Sequence, residues 1–352
     1  MLKKIAFLFL LVPTLIFGQG RKYSNEFLNI GVDARAMGMS NSVIASVNDV
    51  TAGYWNPAGL ANITKSWQAS AMHAEYFASI AQYDYLSFAQ PVDALSTIGF
   101  TVIRFGVDDI LDTTELLDKD GNVDYDRINK FSAADYALIG SYARKSSKYA
   151  NLNYGGNVKI IYRQIGDFAN AIGFGFDLGA QYKINAWEFG ATLRDFTSTF
   201  NSWSFNEEKL DTIGGLPEEK LELTIPRLLL GVGRSFTLNK KYSLHTEINM
   251  DITFDGERNT LVGSNFGSID PGFGFELGYR KFAFLRGGLG NIQRTVDFDN
   301  SENISLQPNL GLGFKYRGIS IDYALTDIGN ASDALYSNIF SLKFDFAALK
   351  GL

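Results

Sequence analysis

The chain has 352 residues, a net charge of −6, no cysteine and two histidines, with 14% aromatic residues, 35 glycines and 7 prolines. The missing thiols exclude disulfides, thiolate metal sites, a cysteine nucleophile and acylation at cysteine, and an acidic chain without a basic run is a poor partner for nucleic acid. With 46% apolar residues but no later run long enough for a membrane helix, the composition suits many strands with one apolar face each.

Taken in chain order, residues 1–18 read as a secretory signal peptide. Lys3 and Lys4 precede an apolar run, 5–17, and Gly18 stands before Gln19 and Gly20. The run is too short for the ~20 residues a membrane helix needs. Removing it leaves 334 residues with a net charge of −8.

Residues 19–66 do not alternate. Within them lies "GVDARAMGMSNSVIASVNDVTAGYWNPAGLA" (31–61), small and glycine-rich. Residues 40–52 read as a short helix or loop, and Asn56-Pro57 starts a turn because proline fixes φ. Gly31, Gly38 and Gly53 lack the strand–loop–helix context of a nucleotide loop. The expectation is a plug, or hatch, inside a barrel, or else a periplasmic tail.

From Trp67 onward, period-2 alternation predicts fourteen strands. They cover 67–76, 82–90, 95–105, 136–145, 153–165, 171–182, 186–195, 227–236, 241–253, 272–280, 282–289, 307–317, 318–326 and 337–347. In the last, Phe340, Leu342, Phe344 and Phe346 share one face, and Ser341, Lys343 and Asp345 the other. Strands of this length cross a bilayer when tilted, with the apolar face toward lipid. Short connections (91–94, 146–152, 183–185, 237–240) alternate with mostly longer ones (106–135, 196–226, 254–271, 290–306, 327–336), as in bacterial barrels. The reading is an all-β, fourteen-stranded transmembrane barrel over 67–347 in the outer membrane, contacting lipid and lipopolysaccharide. A plug occupies 19–66 and a periplasmic tail 348–352.

Residues 33–61, together with "FSAADYALIGSYARK" (131–145) and "YGGNVKIIY", resemble the PorV/PorQ-type proteins of the Bacteroidota, within the wider FadL-like barrels. The resemblance implies a fourteen-stranded barrel with an internal hatch. Its signature falls on Asp33, Arg35, Gly38, Trp55, Asn56, Pro57, Ala58 and Gly59. It also implies a non-enzymatic, protein-binding subunit of type IX secretion or a related envelope complex. The alternative is a FadL-like channel for hydrophobic small molecules.

Chemistry elsewhere is sparse. "DKDGNVDYD" places Asp118, Asp120, Asn122 and Asp124 at alternate positions, oxygens that a hard cation takes. The glycine sits wrongly for an EF-hand and no glutamate closes the loop, so a solvated acidic loop is the other reading. Loop 196–226 mixes aromatics with charge, as a docking surface or a cover over the barrel mouth would. His73 and His245 read as structural, and no nucleophile elbow is present. The expectation is no enzyme and no cofactor.

Overall fold

The computed structural model describes residues 24–77, 79–117, 120–211, 215, 217, 219–296, 302–326 and 336–349. The expected signal peptide lies outside them. The strands are β1 (Gln68–Tyr76), β2 (Ala81–Pro91), β3 (Ser96–Asp112), β4 (Asn129–Lys145), β5 (Leu152–Ile165), β6 (Ala169–Ile184), β7 (Trp187–Arg194), β8 (Thr199–Phe205) and β9 (Leu221–Thr224). They continue as β10 (Arg227–Thr237), β11 (Tyr242–Thr253), β12 (Val262–Ser264), β13 (Gly267–Tyr279), β14 (Ala283–Val296), β15 (Glu302–Tyr316), β16 (Ile319–Thr326) and β17 (Ser337–Asp345).

All belong to one sheet, and β1 pairs with both β2 and β17, so the sheet closes on itself. β7 pairs directly with β10, and β11 with β13. That leaves β8, β9 and β12 as short additions in the long connections. Fourteen antiparallel strands make the closed wall, and the chain is an outer-membrane barrel. Closure is what permits it to sit in lipid, because among the described residues the fourteen wall strands each have a partner on both sides.

The outward faces follow the alternation. Leu310, Leu312 and Phe314 of β15 are exposed, while Asn309, Gly311 and Gly313 at the alternate positions are buried. At the short-turn end Trp67 stacks on Phe346 and Tyr242 lies against Tyr279, the aromatic belt of a membrane interface.

Two departures from the sequence reading have a physical cause. Strands β3, β4, β13 and β15 run further toward the long-connection end, to Asp112, from Asn129, from Gly267 and from Glu302. Beyond the apolar band both faces of a strand meet water, so alternation vanishes although the ladder continues. At the other end Phe346–Leu349 forms a helical turn instead of extending β17.

Candidate functional site in the barrel lumen

Residues 24–63 touch inward faces right around the barrel. Met72 on β1 accepts from the Asp33 amide, and Thr97 on β3 donates to the Ile63 carbonyl. Asn157 on β5 donates to the Gly53 carbonyl at 2.9 Å, and Gln181 on β6 to that of Val47 at 2.9 Å. Glu247 on β11 accepts from the Ala45 amide at 2.7 Å. A segment with little regular structure carries many backbone groups that need partners. The polar face of the wall supplies them.

Close approach depends on glycine. A Cβ at Gly179 would lie 2.3 Å from Asn56 Oδ1, at Gly155 2.7 Å from the Pro57 backbone, and at Gly190 2.3 Å from the Ile44 carbonyl oxygen. Gly274 and Gly288 stand in the same relation to Met39. The inward glycines of β5, β6, β7, β13 and β14 are thus the floor on which the segment lies.

Its signature residues have separate tasks. Asn56 donates to the carbonyls of Ile44 and Ala180, both at 3.0 Å, while its Oδ1 accepts from the Ala58 amide at 3.2 Å. It thereby caps the 3₁₀ turn Pro57–Asn62, which opens on proline. Ala58 is fully buried. Gly59 passes the Val47 carbonyl where a Cβ would come within 2.3 Å, and Gly38 faces Gly311. Trp55 donates through Nε1 to the Val32 carbonyl, and Arg194 lies over the rings of Tyr54 and Trp55.

Asp33 and Arg35 begin and end one chain of ion pairs. Asp33 meets Lys343 at 2.9 Å, and Lys343 lies 3.8 Å from Asp322. Asp322 pairs with Arg286 at 2.7 Å, Arg286 with Glu276 at 2.7 Å, and Glu276 with Arg35 at 2.9 Å. Asp49 joins at Lys343, at 3.0 Å. Buried charges are tolerated only when paired in this way. Burial, helped by Asp322 and Asp49, raises the Asp33 carboxyl above its usual range against the pull of Lys343. At Asp49 burial is outweighed by Lys343, the Thr51 hydroxyl and Arg35, which hold it well below. A second buried group, Lys159 with Asp177 at 2.7 Å and with Asp195, belongs to the wall alone.

On the long-connection side of the segment a cavity of about 650 Å³ opens. Ile30, Met37, Trp55, Tyr76, Phe105 and Leu229 give it apolar surface; Asn249 and Asn309 give it polar surface, and Arg194, Arg227, Asp251, Arg258 and Asp270 bring charge to its wall.

Of the candidate cation ligands, Asp118 lies outside the described residues. Asp120 and Asn122 lie between β3 and β4. Asp124 accepts from the Asp126 amide at 3.2 Å and from Arg127 Nε at 3.1 Å, capping the turn Tyr125–Arg127. Among the described residues no cluster of three or more His, Asp or Glu is arranged to hold a metal. His73 is on the outer face beside Asp84 at 2.7 Å. His245 lies in the lumen between Ser235 at 3.0 Å and Glu247 at 3.3 Å. Glu276, Arg286, Asp322 and Lys343, the wall's half of the ion-paired clasp on Asp33 and Arg35, are not among the site residues read from the sequence. The available signal was charge on the inward face of four strands.

No family model matches the chain, and no curated protein sequence does. Solved structures do match in fold. A Pseudomonas putida toluene transporter TodX aligns with TM-score 0.56 at 11% identity over 90% of this chain and 99% of that one. The Ralstonia pickettii toluene transporter TbuX aligns with TM-score 0.55 at 13% identity over 89% and 98%. The monoaromatic hydrocarbon channel CymD aligns with TM-score 0.52 at 10% identity over 89% and 96%. Those proteins are transporters and channels, and what this chain shares with them is the fold, a closed antiparallel β-barrel.

Proposed function

We propose that the protein is a FadL-like outer-membrane channel for hydrophobic small molecules, with residues 24–63 as its plug. The observation that carries this reading is the cavity above the plug, large enough for a small ligand and walled by Trp55, Tyr76 and Phe105 among others. The fold shared with toluene transporters agrees with it. A ligand entering from the long-connection side would meet this surface first, and onward passage requires the plug to shift.

The test is uptake of radiolabelled toluene by cells lacking the protein, compared with cells given it back. Faster entry on restoration, together with a toluene-dependent change in emission from a purified barrel in which Trp55 is the one tryptophan kept, supports a channel. Equal entry in both strains removes the reading.

A second reading is a PorV/PorQ-type protein-binding subunit of type IX secretion. It rests on the resemblance of residues 33–61 and gains weight from the ion-paired seating of the segment, which suits a lumen that stays shut. Loss of secretion of sorting-domain cargo on deletion, with toluene uptake unchanged, would favour it.

A further inference from the structure

One sector of the wall has its polarity reversed. On β1 the side chains Met72, Ala74 and Tyr76 are buried inside, and so are Tyr83 and Tyr85 on β2 and Ile103 on β3. The outward positions of the same strands carry His73, Glu75, Asp84 and Arg104, followed by Asp108. His73 Nδ1 is 2.7 Å from Asp84, Asp84 is 3.8 Å from Arg104, and Arg104 is 3.3 Å from Asp108. The side chains of His73, Glu75, Asp84 and Asp108 are about half exposed, and that of Arg104 a quarter exposed.

His73, Glu75, Asp84 and Arg104 stand at the level of lipid, and Asp108 lies at the rim above them. With ~3.3 Å rise per residue and ~40° tilt, His73 is roughly 15 Å above Trp67 and Asp84 roughly 18 Å above Pro91, inside an apolar band ~25 Å tall. The register agrees, because His73 pairs across to Phe340 of β17, which is itself 57% exposed. Leu86, Phe88, Ile98 and Phe100 below the patch are exposed in the usual way. Charges on a lipid-facing wall are costly; Asp84 and Asp108 share the Arg104 guanidinium, while Glu75 lies 3.8 Å from His73 and accepts from the Ser79 hydroxyl at 2.7 Å.

We propose that the outer face of β1–β3 is a docking site for the membrane-embedded wall of a different protein, one that presents a lysine or arginine among apolar side chains. Charge complementarity selects this occupant. Lipopolysaccharide brings phosphates, which an acidic patch repels. A second copy related by a two-fold axis would set the same acidic patch against itself. A basic side chain from another wall satisfies Glu75, Asp84 and Asp108, and the apolar positions below them seal the contact. The inference is independent of what the lumen passes.

Full-length protein in its native outer membrane tests this. A photo-crosslinking amino acid replaces Leu86, beside the patch, or Ile248, on the outer face of β11 across the barrel. The Leu86 position is expected to yield an adduct with one other protein, its linked peptide carrying Lys or Arg. The Ile248 position is expected to yield lipid adducts. Asp84→Lys should reduce the protein adduct at least tenfold; if that variant loses the heat-modifiable band of a folded barrel, Asp84→Asn replaces it and should reduce the adduct several-fold. Lipopolysaccharide adducts alone, a dimer of this chain, or a protein adduct indifferent to the charge at position 84 each overturn the proposal.

Discussion

Lys343, on the last strand, holds Asp33 at 2.9 Å across 310 positions of sequence. The same ammonium reaches Asp49 at 3.0 Å, so one wall cation anchors the N-terminal segment at two points. Lys343→Met would leave Asp33 and Asp49 buried without it. Removing one partner of a buried pair typically costs about 3–5 kcal/mol. The expected result is a barrel that folds, with residues 24–63 cleaved by added protease while the wild-type segment is spared. Equal protection in both proteins would show that the clasp does not hold the segment.

Acid should not release the segment early. The depressed Asp49 carboxyl contributes stability that is present above the ordinary carboxylate range and is lost only as pH falls through its lowered value. Asp33 is raised, so its contribution is fully present below that range and fades as pH rises through its own value. Protection of residues 24–63 should therefore hold or increase from neutral pH down to about 4 and fail only in stronger acid. Asp33→Asn should flatten the rise, which a pH series of limited proteolysis measures.

Two glycines on opposite faces of the wall should behave oppositely. At Gly179 a Cβ would meet Asn56 and Pro57 at 2.3 and 2.8 Å, whereas at Gly140 nothing lies within 4 Å. Gly179→Val should unseat the segment, with a loss of at least the ~1–3 kcal/mol typical of overpacking. Gly140→Ala, on the lipid side, should leave thermal unfolding unchanged. Matching melting curves for the two variants would refute the glycine-floor argument.

The strands were legible because lipid on one side and a filled lumen on the other impose strict alternation, as in Leu310, Leu312 and Phe314 against Asn309, Gly311 and Gly313. Where that contrast ends the sequence loses its voice: the outer part of β3, beyond Phe105, carries no period although the ladder runs to Asp112. In the lumen, Asn56, Pro57 and Gly59 stand out as a turn because their effects are local. Arg35 and Glu276 do not, since their pairing depends on a strand more than two hundred residues away. The reversed sector at His73 and Asp84 is not legible in the sequence, because polarity on the wrong face looks like noise until the wall is closed.

The lipid-facing stripe makes its own prediction. Leu312 is exposed on β15 with Leu310 and Phe314 beside it. Leu312→Arg places a guanidinium in hydrocarbon, which costs about 2–4 kcal/mol near the bilayer midplane. The fraction of chain that migrates as the compact, unboiled form on gels should fall. Leu312→Phe should not change it.

Asn56 gives the sharpest discrimination, because its amide is asymmetric. The Nδ2 group donates to Ile44 and Ala180 while Oδ1 faces the Ala58 amide. Asn56→Ala loses these bonds; the Ile44 carbonyl keeps only the longer contact from Gln181 Nε2 at 3.3 Å and Ala180 loses its side-chain donor, a loss of about 1–3 kcal/mol in all. Asn56→Asp keeps the cap on Ala58 but turns an acceptor-only oxygen toward the same carbonyls, adding repulsion and a buried charge. Asp should therefore be the worse substitution at neutral pH, although it is the nearer in shape. Acidification, which protonates the new carboxyl and restores a donor, should narrow the gap. Proteolysis of residues 24–63 in both variants at neutral and acidic pH measures it; an aspartate variant as well protected as wild type at neutral pH would mean that the donor half of Asn56 does not seat the segment.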